Sequence, residues 1–175
     1  NSEDESPLMK KNEFNGMDSL VFDGDNDSLK VPSGNLLGDN YTFFIVTKSN
    51  EDPDVEGVLF SQYTEASGRT IFRLNEGDDS HFHAWSGGDP HEEKNTEKMI
   101  SKGDKFLAIV KKDGDDVDVW ANGGTGSGDP VSFSNNAPDA PNYIGKLLDP
   151  SNDVSQGHYD GDISEIIIFN DALSD

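Results

Sequence analysis

Apolar residues in this chain either alternate with polar ones or gather into runs too short for a helix, and no segment keeps a 3.6-residue period for three turns. The clearest run is Ile163 to Phe169, where three consecutive isoleucines and a phenylalanine follow a Gly161-centred turn and stop at Asn170 and Asp171. β-branched side chains are stiff at χ1 and suit a pleated surface, so this run predicts a central strand covered on both faces. Tyr41 to Lys48 predicts a second buried strand, and Leu20 to Val31 reads as two short strands around an acidic turn.

Hairpins dominate the middle of the chain. Val58 to Tyr63 and Thr70 to Leu74 pair through the turn Glu65 to Gly68, and Phe106 to Lys112 pairs with Val117 to Ala121 through Asp113-Gly114, which accepts the positive φ angles of a tight turn. His81 to Trp85 alternates so that His81, His83 and Trp85 share one face while Phe82 and Ala84 share the other. Residues 49–57 and 86–98 read as polar loops, and 122–142 as a Gly-, Asn-, Asp- and Pro-rich connection with one short strand at Val131 to Phe133. Tyr143 to Lys146 leads to an acidic loop, 149–162. Residues 1–13 are charged and aperiodic and read as a linker or ragged lead-in, which leaves 14–175 as one domain. About ten short strands with frequent turn signals predict an all-β, two-sheet antiparallel sandwich or barrel.

Charge narrows the partners. With 35 acidic and 13 basic residues, the net charge of -22 repels nucleic acid and anionic membrane surfaces and favours cations. Most of these carboxylates read as solvated surface. The absence of cysteine removes disulfides, zinc-thiolate sites and thiol nucleophiles. No apolar run approaches bilayer length and no signal peptide is present, so no membrane insertion is expected. The start at Asn1 reads as a piece cut from a larger multidomain chain.

The string YIGKLLD, residues 143–149, followed by YDGDISEIIIFNDALSD, 159–175, resembles the closing signature of bacterial laminin-G-like, concanavalin A-like domains. In the same order upstream, SLVFDGDNDSLKV (19–31) resembles their opening strand, NYTFFIVTK (40–48) the second, and FLAIVKKDGDDVDVWANGG (106–124) a hairpin ending in Asn-Gly. The resemblance covers nearly the whole chain from about residue 14. It implies a concanavalin A-like jelly roll in which first and last strands are neighbours.

That neighbourhood bears on calcium, which takes six to eight oxygens from carboxylates and carbonyls. FDGDND (22–27) and YDGD (159–162) are oxygen-rich loops that the implied fold would bring together. The resemblance implies a structural calcium held by Asp162, with Asp23 and Asp160 behind it and the loop 149–153 as a second candidate. Asp-Gly pairs also form turns without any metal, and neither loop has EF-hand spacing.

Other constellations are weaker or point to glycans. DGDISE (160–165) resembles the acidic strand of laminarinase-type glycosidases, whose retaining members need carboxyls about 5–5.5 Å apart. On a regular strand Asp160 and Asp162 share a face at about 6.6 Å between Cα atoms while Glu165 points the other way. His81 and His83 form half a transition-metal site that His91 or Asp79 would have to complete. In VDVWANG, Val117, Val119 and Ala121 face the core, leaving Asp118, Trp120 and Asn122 outward, and an outward tryptophan suits stacking on a pyranose. Trp85 with His81 and His83 makes a second such patch, with Tyr63 and Arg69 near it. Cover by loop 86–98 is the alternative account of Trp120.

Together these readings predict a non-catalytic, lectin-like module of a secreted or cell-surface, adhesin-like protein, stabilised by calcium and binding a glycan or another cell-surface ligand. A structural spacer without a glycan pocket is the second reading, and a glycoside hydrolase the third.

Overall fold

The computed structural model describes residues 6–32, 36–50, 55–64, 68–74, 81–87, 91–97, 99–127, 131–132, 141–149 and 154–174. Its strands are β1 (Leu8–Phe14), β2 (Met17–Asp23), β3 (Leu29–Val31), β4 (Tyr41–Ser49), β5 (Gly57–Thr64), β6 (Gly68–Leu74), β7 (Phe82–Gly87) and β8 (His91–Thr96). They continue as β9 (Lys105–Asp113), β10 (Asp116–Ala121), β11 (Gly124–Ser127), β12 (Val131–Ser132), β13 (Asn142–Ile144), β14 (Leu147–Asp149), β15 (Val154–Gln156) and β16 (Asp160–Phe169). The first sheet runs β1-β2-β16-β4-β9-β10 and the second β8-β7-β6-β5-β13-β3; β11 pairs with both β10 and β8 and joins them along one side. The predicted all-β sandwich and jelly-roll fold is the observed one.

Alternation drives the layering. Along β4 the inward residues Tyr41, Phe43 and Ile45 are buried, and along β10 so are Val117, Val119 and Ala121, as the sequence predicts. From the opposite sheet Phe60 and Phe72 meet Phe43, with ring centroids 5.3 and 4.7 Å away. Three tight turns use Asn-Gly or Gly-Asp. Phe14 pairs with Met17 across Asn15-Gly16, and Ala121 with Gly124 across Asn122-Gly123, all four with positive φ. Asp113 pairs with Asp116, so the turn residues are Gly114 and Asp115 rather than Asp113-Gly114.

Four segments depart from the expectation: the connection read over 122–142 contains β11, the acidic loop read over 149–162 contains β15 and the start of β16 with Gly161 inside the strand, and two more carry polar strands. Residues 8–13, read as lead-in, belong to β1, which pairs with β2 (Leu8 opposite Val21). The strand buries little, so it lacks apolar alternation; ion pairs described below fasten it instead. The polar segment read as the loop 86–98 contains β8, whose register on β7 places Glu93 opposite Trp85. The turn residues 65–67, Asp79, Phe133 and the loop residues 150–153 lie outside the described residues.

The opening and closing segments fasten the sandwich. β16 lies between β2 and β4, and Asp160 to Ile163 pair with Asp23 to Leu20. Two glycines let aromatic rings close over the backbone there. A Cβ on Gly145, where φ is +85°, would lie 2.5 Å from the Phe22 ring, and one on Gly161 would lie 2.3 Å from Lys48 O and 2.6 Å from the Tyr159 ring. The Tyr159 hydroxyl donates to Lys48 O at 2.9 Å and lies 2.7 Å from Thr47 Oγ1, which donates to Asp162 O at 2.9 Å. Both rings are fully buried, with centroids 6.2 Å apart. Gly161→Ala is therefore expected to destabilise the fold by about 2 kcal/mol or more through forced displacement of Tyr159 or β4, measured by urea unfolding. An unchanged midpoint would contradict the close packing.

Candidate functional site

At the acidic seam the predicted bends do meet: Asp23 and Asp160 are cross-strand partners, and Gly24 N–H donates to Tyr159 O at 3.1 Å. The Asp23 carboxylate has other work. Asp23 Oδ1 accepts the backbone N–H groups of Asp25, Asn26 and Asp27 at 2.9, 3.2 and 3.4 Å, and those bonds, Asp25's foremost, hold its carboxyl below the ordinary range. Asp27, buried beside it, is shifted up, by desolvation first and by the Asp23 charge second.

Asp162 is only 1% exposed, and its carboxylate faces two ammonium groups, Lys48 Nζ at 3.6 Å and Lys10 Nζ at 3.9 Å. Glu13 completes the group, with Lys10, Lys48 and Lys105 at 3.0, 3.5 and 3.5 Å. Lysine charges already stand where a divalent ion would have to sit, so the residues around Asp162 do not fit calcium. Among the described residues no three His, Asp or Glu side chains converge as metal ligands. The sequence reading missed Lys10 and Lys48 as the partners of Asp162, and Glu13 as the second carboxylate those lysines share, because β1, which carries Lys10 and Glu13, has no periodic signal. A bulge between Ile163 and Glu165 also turns Glu165 to the same face as Asp162, since they oppose Val46 and Lys48, two residues apart on β4. On a regular strand Glu165 would face away.

A second candidate lies on the outer face of the first sheet. Ile167, Phe44, Ile109 and Trp120 are successive cross-strand partners on β16, β4, β9 and β10, forming one apolar row across four strands. Phe169, 43% exposed, packs edge-on against Phe44 with centroids 6.0 Å apart. Along this row Trp120, Leu173, Phe44 and Ile109 line one trough of 290 Å³. The C-terminal segment that supplies Leu173 is pinned by Thr42, whose Oγ1 donates to Asp171 O at 2.9 Å and accepts from Leu173 N–H at 3.0 Å. Trp120 is half-buried and Asp118 exposed, as predicted, and Lys111 Nζ lies 5.7 Å from the indole. Asn122 faces outward too, but its amide serves the strand: Oδ1 accepts Leu107 N–H at 3.0 Å and Nδ2 donates to Lys105 O at 3.5 Å. Phe44 and Leu173 escaped the sequence reading, although the alternation of β4 points Phe44 outward.

The third candidate is the outer face of the second sheet. Trp85 and His83 face outward from β7 as predicted, yet both are buried. Trp85 packs with Val58, Ile71 and Leu147, and the Arg69 guanidinium covers its ring at 4.0 Å, so the indole is no bare platform. His83 Nδ1 bonds Glu93 Oε1, and Arg73 reaches Glu56 at 3.1 Å and Glu93 at 3.7 Å. The His81 ring stands edge-on to His83 at 6.4 Å.

Residues 23–175 match the family described as the Concanavalin A-like lectin/glucanases superfamily, in its laminin G branch. The chain belongs to that superfamily. No curated protein matches it. Among solved structures, the superfamily fold is shared with domain 4 of AbnA, a GH43 extracellular arabinanase from Geobacillus stearothermophilus solved with arabinotriose. The TM-score is 0.69 at 21% identity, covering 97% of this chain and 77% of that one. The Ruminococcus gnavus IT-sialidase CBM40, bound to α2,3 sialyllactose, gives 0.65 at 11% identity, covering 97% and 95%. Mouse laminin α1 chain domains give 0.57 at 12%, covering 89% and 40%. At such identities the likeness establishes the fold.

The ionic cluster generates a pH prediction. The hydrogen bond from Lys10, with the charges of Lys10, Lys105 and Lys48, holds the Glu13 carboxyl down to about 2 from an ordinary 4.5. A lowered folded-state value means stability present above pH 4.5 and lost as pH falls toward 2. Glu13→Gln should lower the urea midpoint at pH 7 and flatten its fall across that window; an unaltered pH profile would show that Glu13 is idle. Melting in EDTA and in millimolar calcium should coincide, and a rise with calcium would reveal oxygen ligands other than those around Asp162.

Proposed function

We propose that the domain is a non-catalytic carbohydrate-binding module whose glycan lies in the trough lined by Trp120 and Leu173, and that it works as one unit of a longer extracellular chain. The carrying observation is the half-exposed Trp120 at the end of the apolar row Ile167–Phe44–Ile109. Burying such a row against a sugar's apolar face returns the stacking and desolvation energy that solvent exposure forgoes. Asp118 and Lys111 border the indole and supply an acceptor and a donor for hydroxyl groups. Recognition of this kind orients a ligand without making or breaking bonds.

The superfamily relatives support the reading at a distance: the AbnA domain was solved with arabinotriose and the R. gnavus module with sialyllactose. A purely structural role would leave the trough empty, and the same experiment separates the two. On an array of neutral plant and bacterial polysaccharides, saturable binding is expected, and Trp120→Ala should weaken the best hit about 30-fold, the loss typical of a buried aromatic anchor. The melting temperature should shift little. An array without hits, or binding indifferent to Trp120→Ala, would overturn the proposal in favour of a spacer.

A further inference from the structure

The sequence contains two arginines, Arg69 and Arg73, in a chain of net charge -22, and β6 carries both. Four residues apart on one strand, they project from the same face, the outer face of the second sheet, with Ile71 between them. Arg73 is neutralised by Glu56 and Glu93. Arg69 is treated differently. Among the described residues no carboxylate pairs with it; its guanidinium carbon lies over Trp85, 4.0 Å from the ring centroid, with the Tyr63 ring centroid 5.7 Å away. Trp85 is buried and wedged against Val58, Ile71 and Leu147, so the surface beneath the guanidinium is rigid.

A cation–π contact holds a guanidinium in place without using up its N–H donors on a carboxylate, and the planar fork those donors form matches a carboxylate in bidentate geometry. In a chain with nearly three acidic residues for every basic one, an arginine held against aromatic rings instead of a carboxylate is positioned for an anion from outside. Tyr63 sits across β5 from Arg69 and flanks it, while Ser61, opposite Ile71, is buried and donates its hydroxyl to Lys146 O at 2.7 Å. Below them, the Arg73, Glu93 and His83 bonds brace β6, β7 and β8 against each other.

We infer that this face is a second, acid-selective subsite, in which Arg69 grips the carboxylate of an acidic sugar. It is distinct from the Trp120 trough, which lies on the opposite sheet. The general negative field of the protein opposes approach of such a ligand, so local geometry rather than long-range attraction must provide the affinity, and binding should survive or improve as salt rises to physiological strength.

The test uses the whole chain and titrates three probes, D-glucuronate, N-acetylneuraminate and neutral lactose, by isothermal calorimetry and by tryptophan fluorescence in a Trp120→Phe background, where Trp85 is the remaining reporter. Binding of either acid with a change in Trp85 emission, and none for lactose, is expected; which acid binds tells a uronic from a sialic carboxylate. Arg69→Gln should weaken acid binding at least about tenfold, and Arg69→Lys should restore only part, because an ammonium keeps the charge without the planar fork. Both variants should melt near the parent temperature. Equal binding of acid and neutral probes, no binding of any, or an Arg69→Gln variant that binds acids as well as the parent would overturn the inference, whatever the fate of the trough.

Discussion

The Phe22 and Tyr159 rings, each closed over a glycine, are the contact on which the rest of this sandwich depends. They close where three distant parts of the chain meet: β2, the turn after β13, and the entry to β16. Gly145 N–H donates to Leu59 O at 3.2 Å and Tyr159 N–H to Gly145 O at 2.9 Å, so the turn also ties the second sheet to the first. With the Tyr159 hydroxyl bonded to a β4 carbonyl and Thr47 to a β16 carbonyl, the position of β16 between β2 and β4 is fixed by hydrogen bonds as well as by packing. The outer face of the first sheet then inherits its shape from this placement. The apolar row ending in Trp120 begins on β16, and the Asp162 carboxylate is pressed under Lys10 and Lys48 because the register sets Asp162 opposite Lys48.

Much of that seam was legible in the sequence. The run Ile163 to Phe169 placed a central strand and the alternation of VDVWANG placed both strand and faces, but the strand is covered on one face only: Ile167 and Phe169 stay 40% and 43% exposed, where three successive isoleucines predicted burial on both sides. The glycines of YIGK and YDGD gave no sign of the rings that close over them: Gly161 read as the centre of a turn and lies inside β16, and Phe22 is far from Gly145 in the chain. β1 was illegible for a physical reason: an edge strand held by Lys10 and Glu13 has no apolar face to repeat. β8 is equally polar, and only its pairing with β7 and β11 reveals it.

The candidate sites show where sequence patterns stop. Outward orientation could be read for Trp120, Trp85, His81 and His83, but not what would cover them. Trp120 stays half-open, whereas Trp85 is roofed by Arg69 and walled by Leu147 from a separate hairpin. Likewise the oxygen-rich loops were correctly brought together, yet the charge that meets Asp162 comes from lysines on β1 and β4. Residue type and spacing report which groups are available; burial and counter-charge decide what they can bind.

Native-state hydrogen exchange reads the seam most directly. If β16 is the fastening strand, the amides that bridge it to β2 and β4, from Gly161 to Ile168, will exchange only through global unfolding and with the full unfolding free energy. Exchange of these amides by local opening, at lower free energy than those of the β9–β10 hairpin, would contradict the account.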